Sequence, residues 1–239
     1  MEEYDMHFSW NEATIAWFKA ASDYTGFHRK LADRLRPVVA GSKSMYDMGC
    51  GLALLSQELA GSVDRIVCVD MNEAALADLS GELARKGINN MKPLLQDCYA
   101  DGPECDVILL SYFGSSTLDR FLPRCRKLIA IVDRDERSSL AGQVLTGVDR
   151  KRQTANRVEE QLQEKGIRYT LEEVSLEFGQ PFCSREDAVL FLKQYYRCTS
   201  SEAEEFTERR IQPAVSAPFT LYLPYMKNMG VFVVEGMCG

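Results

Sequence analysis

The segment Ser44-Met45-Tyr46-Asp47-Met48-Gly49-Cys50-Gly51-Leu52-Ala53-Leu54-Leu55-Ser56-Gln57-Glu58-Leu59-Ala60 constrains this chain more than any other, because it reads as a short strand, a glycine turn and an amphipathic helix in succession. Gly49 and Gly51 carry no Cβ, so the backbone can take positive φ and a ligand can approach it closely where the strand ends. A dinucleotide turn wants a third glycine three residues beyond Gly51, and that position holds Leu54. Asp47 at the mouth would also oppose a pyrophosphate, so the turn suits a cationic ligand better than a phosphorylated one. A tight turn with a purely structural purpose is the competing reading.

Arg65-Ile66-Val67-Cys68-Val69-Asp70 is a nearly continuous apolar run ending in an acid, the pattern of a parallel strand buried on both faces. Asp70 follows the glycines at the spacing that lets a carboxylate reach the two hydroxyls of a ribose, although Asp70 or Asn72 could equally cap the next helix. Glu73 to Lys86 then reads as a helix closed by Gly87, and Met91 to Leu95 as a third strand. Asp106 to Ser111 is a fourth strand introduced by the loop Asp101-Gly102-Pro103-Glu104, Leu118 to Arg126 a helix, and Lys127 to Asp133 a fifth strand. This alternation predicts a parallel sheet with helices on both faces, and ligands collect at the C-terminal ends of such strands. Gly49, Asp70, Asp97, Ser111 and Asp133 all fall there.

Asp47-x-Gly49-x-Gly51 with Asp70 resembles the first motifs of the class I S-adenosylmethionine-dependent methyltransferases, whose cofactor carries an ammonium and a sulfonium and no phosphate. The resemblance is carried by motifs from Ser44 to Asp133 and by pattern beyond. It implies a three-layer, doubly wound α/β fold whose mostly parallel seven-stranded sheet has an antiparallel last strand. It also implies a cofactor set of Asp47, Gly49, Cys50, Gly51, Asp70, Met71, Asp97, Cys98 and Ser111, in which the Asp97 carboxylate accepts from the adenine amino group and the Cys98 N–H donates to a ring nitrogen. The acceptor would sit beyond Ser111, walled by Tyr112 and Phe113. No Asn-Pro-Pro-Tyr tetrad is present there, so the DNA base-amino signature is missing.

The expected organisation is one domain, residues 1–239, with an N-terminal helical cap over 1–42, a Rossmann-like core over 43–178 and 229–239, and an insertion over 179–228. The cap reads as helix from about Asn11 to Val39, broken at Gly26. Tyr169 to Phe178 and Gly230 to Glu235 are read as the sixth and seventh strands, which the resemblance would make an antiparallel pair at one sheet edge. Between them, Ala188 to Arg197 and Ser201 to Ile211 read as helices and Phe219 to Tyr225 as an extended stretch that Pro224 keeps from being a central strand. Trp17, Tyr24 and His28 of the cap and Tyr195 and Tyr222 of the insertion are candidate acceptor-pocket residues, with packing as the alternative for each. Asp133, Tyr112 and His28 are the candidate proton acceptors. The charged stretch Asp149 to Lys165 reads as a helix whose basic cluster lies on a solvated face, with contact to phosphates as the alternative.

The 239 residues carry a formal net charge of −7, which gives the molecule no broad attraction to nucleic acid or anionic lipid. The eight cysteines show no metal-ligand spacing and read as reduced thiols; no metal is expected. The acidic first residues and the lack of a long apolar run point to a cytoplasmic protein with no membrane segment. The expectation is a methyltransferase using S-adenosylmethionine on a small-molecule acceptor. RNA or protein acceptors, a non-catalytic cofactor-binding module and an NAD-dependent oxidoreductase are the alternatives.

Overall fold

A computed structural model describes residues 10–134, 153–196 and 198–238. The cap consists of α1 (Glu12–Thr25) and α2 (Phe27–Val39). Asn11 opens α1 through a reciprocal capping box with Thr14, and Gly26 in the left-handed region turns the chain between the two helices. Next come β1 (Ser44–Met48), α3 (Leu54–Leu59), β2 (Arg65–Asp70), α4 (Glu73–Lys86), β3 (Met91–Leu95), β4 (Cys105–Ser111) and β5 (Cys125–Asp133). The last part contains α5 (Ala155–Glu164), β6 (Tyr169–Glu177), β7 (Gln180–Phe182), α6 (Arg185–Tyr196), α7 (Ser200–Arg210), β8 (Gln212–Pro213), β9 (Leu221–Leu223) and β10 (Met226–Glu235).

Seven strands form one sheet in the order β3-β2-β1-β4-β5-β10-β6. The first five pair in parallel, and β10 inserts antiparallel between β5 and β6, the antiparallel last strand that the resemblance implies. Because each strand side chain alternates between faces, the sheet supports two cores. Met45, Ile66, Cys68, Leu109 and Ile131 face α2, α3 and α4, while Met48, Val69, Ile108, Leu110 and Phe232 face α5 and the β4–β5 connection. The parallel register sets Met48 opposite Val69 and Leu110, and Ser111 opposite Ile131, so the strand ends that carry the motifs share one rim.

Three expectations need correction. Leu118 to Arg126 is not a helix: two 3-10 turns, Leu118–Arg120 and Leu122–Arg124, lead directly into β5. Pro123 is the reason, because it removes the N–H that a continuous helix would need in its second turn. Phe219 to Tyr225 does supply a central strand, since β9 is the middle of a second sheet ordered β7-β9-β8, and Pro224 falls just beyond its last residue. The charged helix starts only at Ala155, and residues 149–152 of its basic cluster lie outside the described residues.

The cap and the insertion share a satellite core of Trp17, Phe182, Phe191, Leu192, Leu223 and Tyr225. Its polar tie is Asp187, whose carboxylate accepts from the Trp17 indole N–H (2.8 Å) and from the Cys183 backbone N–H (3.1 Å). On the opposite flank Lys19 bonds Asp78 and Glu82 of α4, which fixes α1 against the large sheet. All eight cysteines are free thiols, five of them buried. Among the described residues no helix is long and apolar enough to cross a membrane. Asp187→Ala leaves the buried Trp17 indole N–H without its partner, while the exposed Cys183 N–H can turn to water, and it should lower stability by about 1–2 kcal/mol in urea unfolding followed by Trp fluorescence. Leu190→Ala, on an exposed position of the same helix, should change stability by less than about 0.5 kcal/mol.

Candidate cofactor-binding site

The chain leaves β1 through Gly49 (φ 68°) and Gly51 (φ 51°), and Ala53 (φ 48°) continues the left-handed course before α3 begins. Both the Gly49 and Cys50 N–H groups donate to Val69 O, which holds the turn against the end of β2. The Gly51 N–H donates to Asp70 Oδ2 at 2.7 Å, and the Asn72 N–H donates to Asp70 Oδ1 at 2.9 Å. Asp70 thus joins the turn to the α4 N-terminus, where Asn72 provides the cap by accepting from the Ala75 N–H. Each Asp70 oxygen retains a second lone pair, which leaves the carboxylate able to accept from a ribose diol as well.

Asp47 sits beneath the turn at 3% exposure. Its Oδ2 accepts from Ser56 Oγ at 2.6 Å, while Oδ1 is buried with no hydrogen-bond partner. Burial drives its pKa up to about 7, the Ser56 bond opposes that shift, and the neighbouring Asp70 charge adds to it. The rim therefore contains a carboxyl whose ionised form lacks compensation, and a cation above the turn would supply it.

The remaining members of the sequence-derived set lie along the same rim. Met71 is 59% exposed next to Asp70. Asp97 is exposed, with Oδ1 accepting from the Tyr99 N–H. Cys98 is buried, and its sulfur accepts from the Gly49 N–H at 3.1 Å, tying the end of β3 to the glycine turn. Burial pushes its thiol up to about 12, so it is a protonated structural group. Cys50 is likewise raised well above the ordinary thiol value, first by hydrogen bonding with Cys68 and then by burial. Ser111 ends β4, half-buried.

Of the acceptor candidates, Tyr112 and Phe113 belong to this rim. Tyr112 has φ 58°, an uncommon conformation for an aromatic residue. The residue is 40% exposed, but its phenol is directed inward, where it donates to Met229 Sδ at 3.4 Å; burial, Asp133 and Tyr225 raise its pKa well above the usual value. The Lys227 ammonium lies 4.2 Å from the Tyr112 ring centroid and 2.8 Å from Asp133 Oδ1. The sequence reading did not single out Lys227, which comes from β10 and reaches this rim only because that strand runs antiparallel beside β5.

The other five candidates are placed in packing. Trp17 and Tyr195 lie in the satellite core against Phe191. Tyr24 packs on Tyr222 and Phe219, and its hydroxyl accepts from the Val215 N–H. Tyr222 donates to Glu177 Oε1 at 2.7 Å. His28 is buried among Phe18, Phe27 and Phe178 with Nδ1 2.7 Å from Ser22 Oγ, and burial lowers its pKa to about 3, so the ring is neutral. A residue absent from the sequence-derived set, Trp10, lies over the turn instead: a Cβ added to Gly51 would come within 2.9 Å of its indole.

Two stability effects follow from this turn. Gly49→Ala combines positive φ with overlap of the Phe113 ring, and it should destabilise the fold by about 2 kcal/mol or more in thermal or urea unfolding. Asp47 has a folded pKa above its unfolded value, so the folded state binds the extra proton, and its contribution to stability is full below about pH 4 and lost as pH rises through about 7. Asp47→Asn should therefore melt at least about 3 °C above the wild type at pH 8, with the difference shrinking toward pH 4.

Neither a protein-family model nor a curated protein sequence matches the chain. Solved structures do resemble it. YcgJ of Bacillus subtilis superposes with a TM-score of 0.54 at 10% identity, covering 88% of this chain and 99% of that one. Precorrin 8w decarboxylase of Methanobacterium thermoautotrophicum gives 0.52 at 14% identity, over 86% and 89%. The N-methyltransferase NodS of Bradyrhizobium japonicum gives 0.51 at 12% identity, over 88% and 95%. Identities this low speak to architecture, and together with the strand order they establish that the chain has the Rossmann-like fold of the class I S-adenosylmethionine-dependent methyltransferases.

Proposed function

We propose that the protein is an S-adenosylmethionine-dependent methyltransferase acting on a small molecule. The observation that carries this reading is the acidic character of the glycine turn: Asp47 with its unpartnered buried oxygen, and Asp70 bonded to the turn's own N–H. A pyrophosphate site would aim that N–H outward and keep carboxylates away, so the same geometry counts against an NAD-dependent oxidoreductase. The donor and acceptor groups fit S-adenosylmethionine. Asp70 would take the ribose hydroxyls, Asp97 and the Cys98 N–H the adenine edge, and Asp47 the field of the cofactor's cationic end, with Met71 beside the ribose position. The cofactor supplies a methyl group on a positively charged sulfur, open to in-line attack.

Tyr112 and Phe113, past Ser111, and the Asp133–Lys227 pair would position the nucleophile. Tyr112 is partly exposed at the rim, and Lys227 and Asp133 place a paired charge of each sign beside it. A small acceptor accords with the overall negative charge, which disfavours a polyanionic one. A non-catalytic cofactor-binding module is the second reading, favoured by one observation: the neutral buried His28 and the inward-bonded Tyr112 phenol are poorly suited to take a proton.

Calorimetric titration with S-adenosylmethionine and S-adenosylhomocysteine tests the cofactor. Saturable binding is expected, and Asp70→Asn should weaken it at least about tenfold while circular dichroism shows the fold retained. Absence of binding by the wild type overturns the proposal. Because the cation favours ionised Asp47, S-adenosylmethionine should bind about tenfold more tightly at pH 8 than at pH 6, and Asp47→Asn should lose that dependence.

A further inference from the structure

The outward face of the glycine turn is in contact with two aromatic rings. A Cβ on Gly49 would overlap Phe113 Cγ and lie 2.6 and 2.8 Å from the ring's two Cδ atoms, so the phenyl ring rests directly on the Gly49 backbone. The Trp10 indole covers Gly51 in the same manner. These are the two positions at which missing side chains allow a ligand to reach the backbone.

Phe113 is aimed there by its neighbours in sequence. Tyr112 (φ 58°) and Gly114 (φ 64°) bracket it, so two left-handed residues reverse the chain at the end of β4 and turn the 113 side chain back over the end of β1. Left-handed backbone at a tyrosine is strained and persists only where surrounding contacts hold it. Here the phenol bond to Met229 and the Lys227 ammonium, itself paired with Asp133, hold the Tyr112 ring. Beyond Gly49 the Phe113 ring leans on Tyr99 at 5.6 Å, which in turn meets Phe121 at 5.7 Å and has the Arg120 guanidinium 4.9 Å above it. The Trp10 ring is steadied edge-on by Phe18 at 5.4 Å.

We propose that Phe113, set by the left-handed Tyr112, is a displaceable latch on the cofactor turn, which must lift from Gly49 before S-adenosylmethionine or S-adenosylhomocysteine can engage the turn. This rests on the cofactor assignment proposed above. Phe113 is only half-buried, so lifting its ring gives up little buried surface, and relief of the left-handed strain at the preceding Tyr112 offsets part of the cost of opening. A ligand that binds only the open state shows an affinity reduced by the fraction open. Trp10 on the neighbouring glycine reports the same event through its fluorescence.

The test is calorimetric titration of wild type, Phe113→Ala and Phe113→Leu with S-adenosylhomocysteine, paired with stopped-flow Trp fluorescence. The leucine variant keeps apolar packing against Tyr99 should the alanine variant fold poorly. The latch predicts that the variants bind at least fivefold more tightly than wild type, and that the wild-type association rate saturates with ligand concentration while the variants' rates stay linear to higher concentration. If the variants bind equally or more weakly while wild type binds, the ring is a fixed wall of the site and the latch is overturned with the cofactor assignment intact. If neither wild type nor variants bind, the cofactor assignment itself fails, and the two rings are permanent packing on a structural turn.

Discussion

A carboxyl group without a counter-ion is buried where the central strand of the sheet ends, and much of the architecture is arranged around it. Asp47 is on β1, the strand flanked by β2 and β4, so neither strand edge nor solvent can compensate its charge. Ser56, delivered by the first turn of α3, is its single hydrogen-bond partner among the described residues. For that helix to start so close to the strand, the connection must turn through Gly49, Gly51 and Ala53 in left-handed conformations. The buried acid and the strained turn thus share one cause, the short path from β1 into α3. A structural acid would ordinarily be bonded at both oxygens, because an unsatisfied buried acceptor costs about 1–3 kcal/mol. The cost is more intelligible as a functional feature than as a device for stability.

Much of the core was legible in the sequence because local signals and tertiary demands agree there. The Asn72 cap and the Gly87 terminus mark α4 to the residue, and the apolar runs of β2, β4 and β5 correspond to strands buried on both faces. Agreement failed where a single residue outweighed the pattern. The apolar spacing of Leu118, Leu122 and Cys125 resembles a helix, but Pro123 divides the segment into two 3-10 turns, and the same residues still fill the core. In the insertion, strands of two or three residues are too short to show a period of two, so the β7-β9-β8 sheet left no trace in the pattern.

The rim was legible only where its residues are motif-bound. Asp47, the glycines and Asp70 follow from spacing, but Trp10 and Lys227 reach the turn through the packing of a helix and the antiparallel insertion of a strand, events that no local window encodes. The left-handed Tyr112 is similarly invisible, since nothing in Ser111-Tyr112-Phe113-Gly114 distinguishes it from an ordinary strand end. Conversely, the aromatic residues of the cap and insertion attract attention in the sequence because they are aromatic, and the structure occupies them with one another. Trp17, Phe191 and Tyr195 join two elements that would each expose an apolar face alone.

That joining has a consequence for the rim. The satellite core reaches Tyr225, whose field bears on the Tyr112 phenol, and Tyr225 immediately precedes the strand carrying Lys227 and Met229. The contacts that hold Tyr112 in its left-handed conformation therefore come from the segment that anchors the insertion to the cap. On the other side, Phe18 of α1 steadies Trp10 over Gly51 and also packs on Phe178, just beyond the end of β6. The Trp10 ring over Gly51 is thus backed by the cap and by the chain that enters the insertion, whereas the Phe113 ring over Gly49 is backed by Tyr99 and Phe121 of the core and reaches the insertion only through its neighbour Tyr112. Small shifts of those elements would act on the turn through packed rings, which resist compression and favour discrete positions over continuous adjustment. On the proposed cofactor assignment, the polar groups beneath the turn set which ligand is favoured, and the aromatic layer above it sets when the turn is accessible.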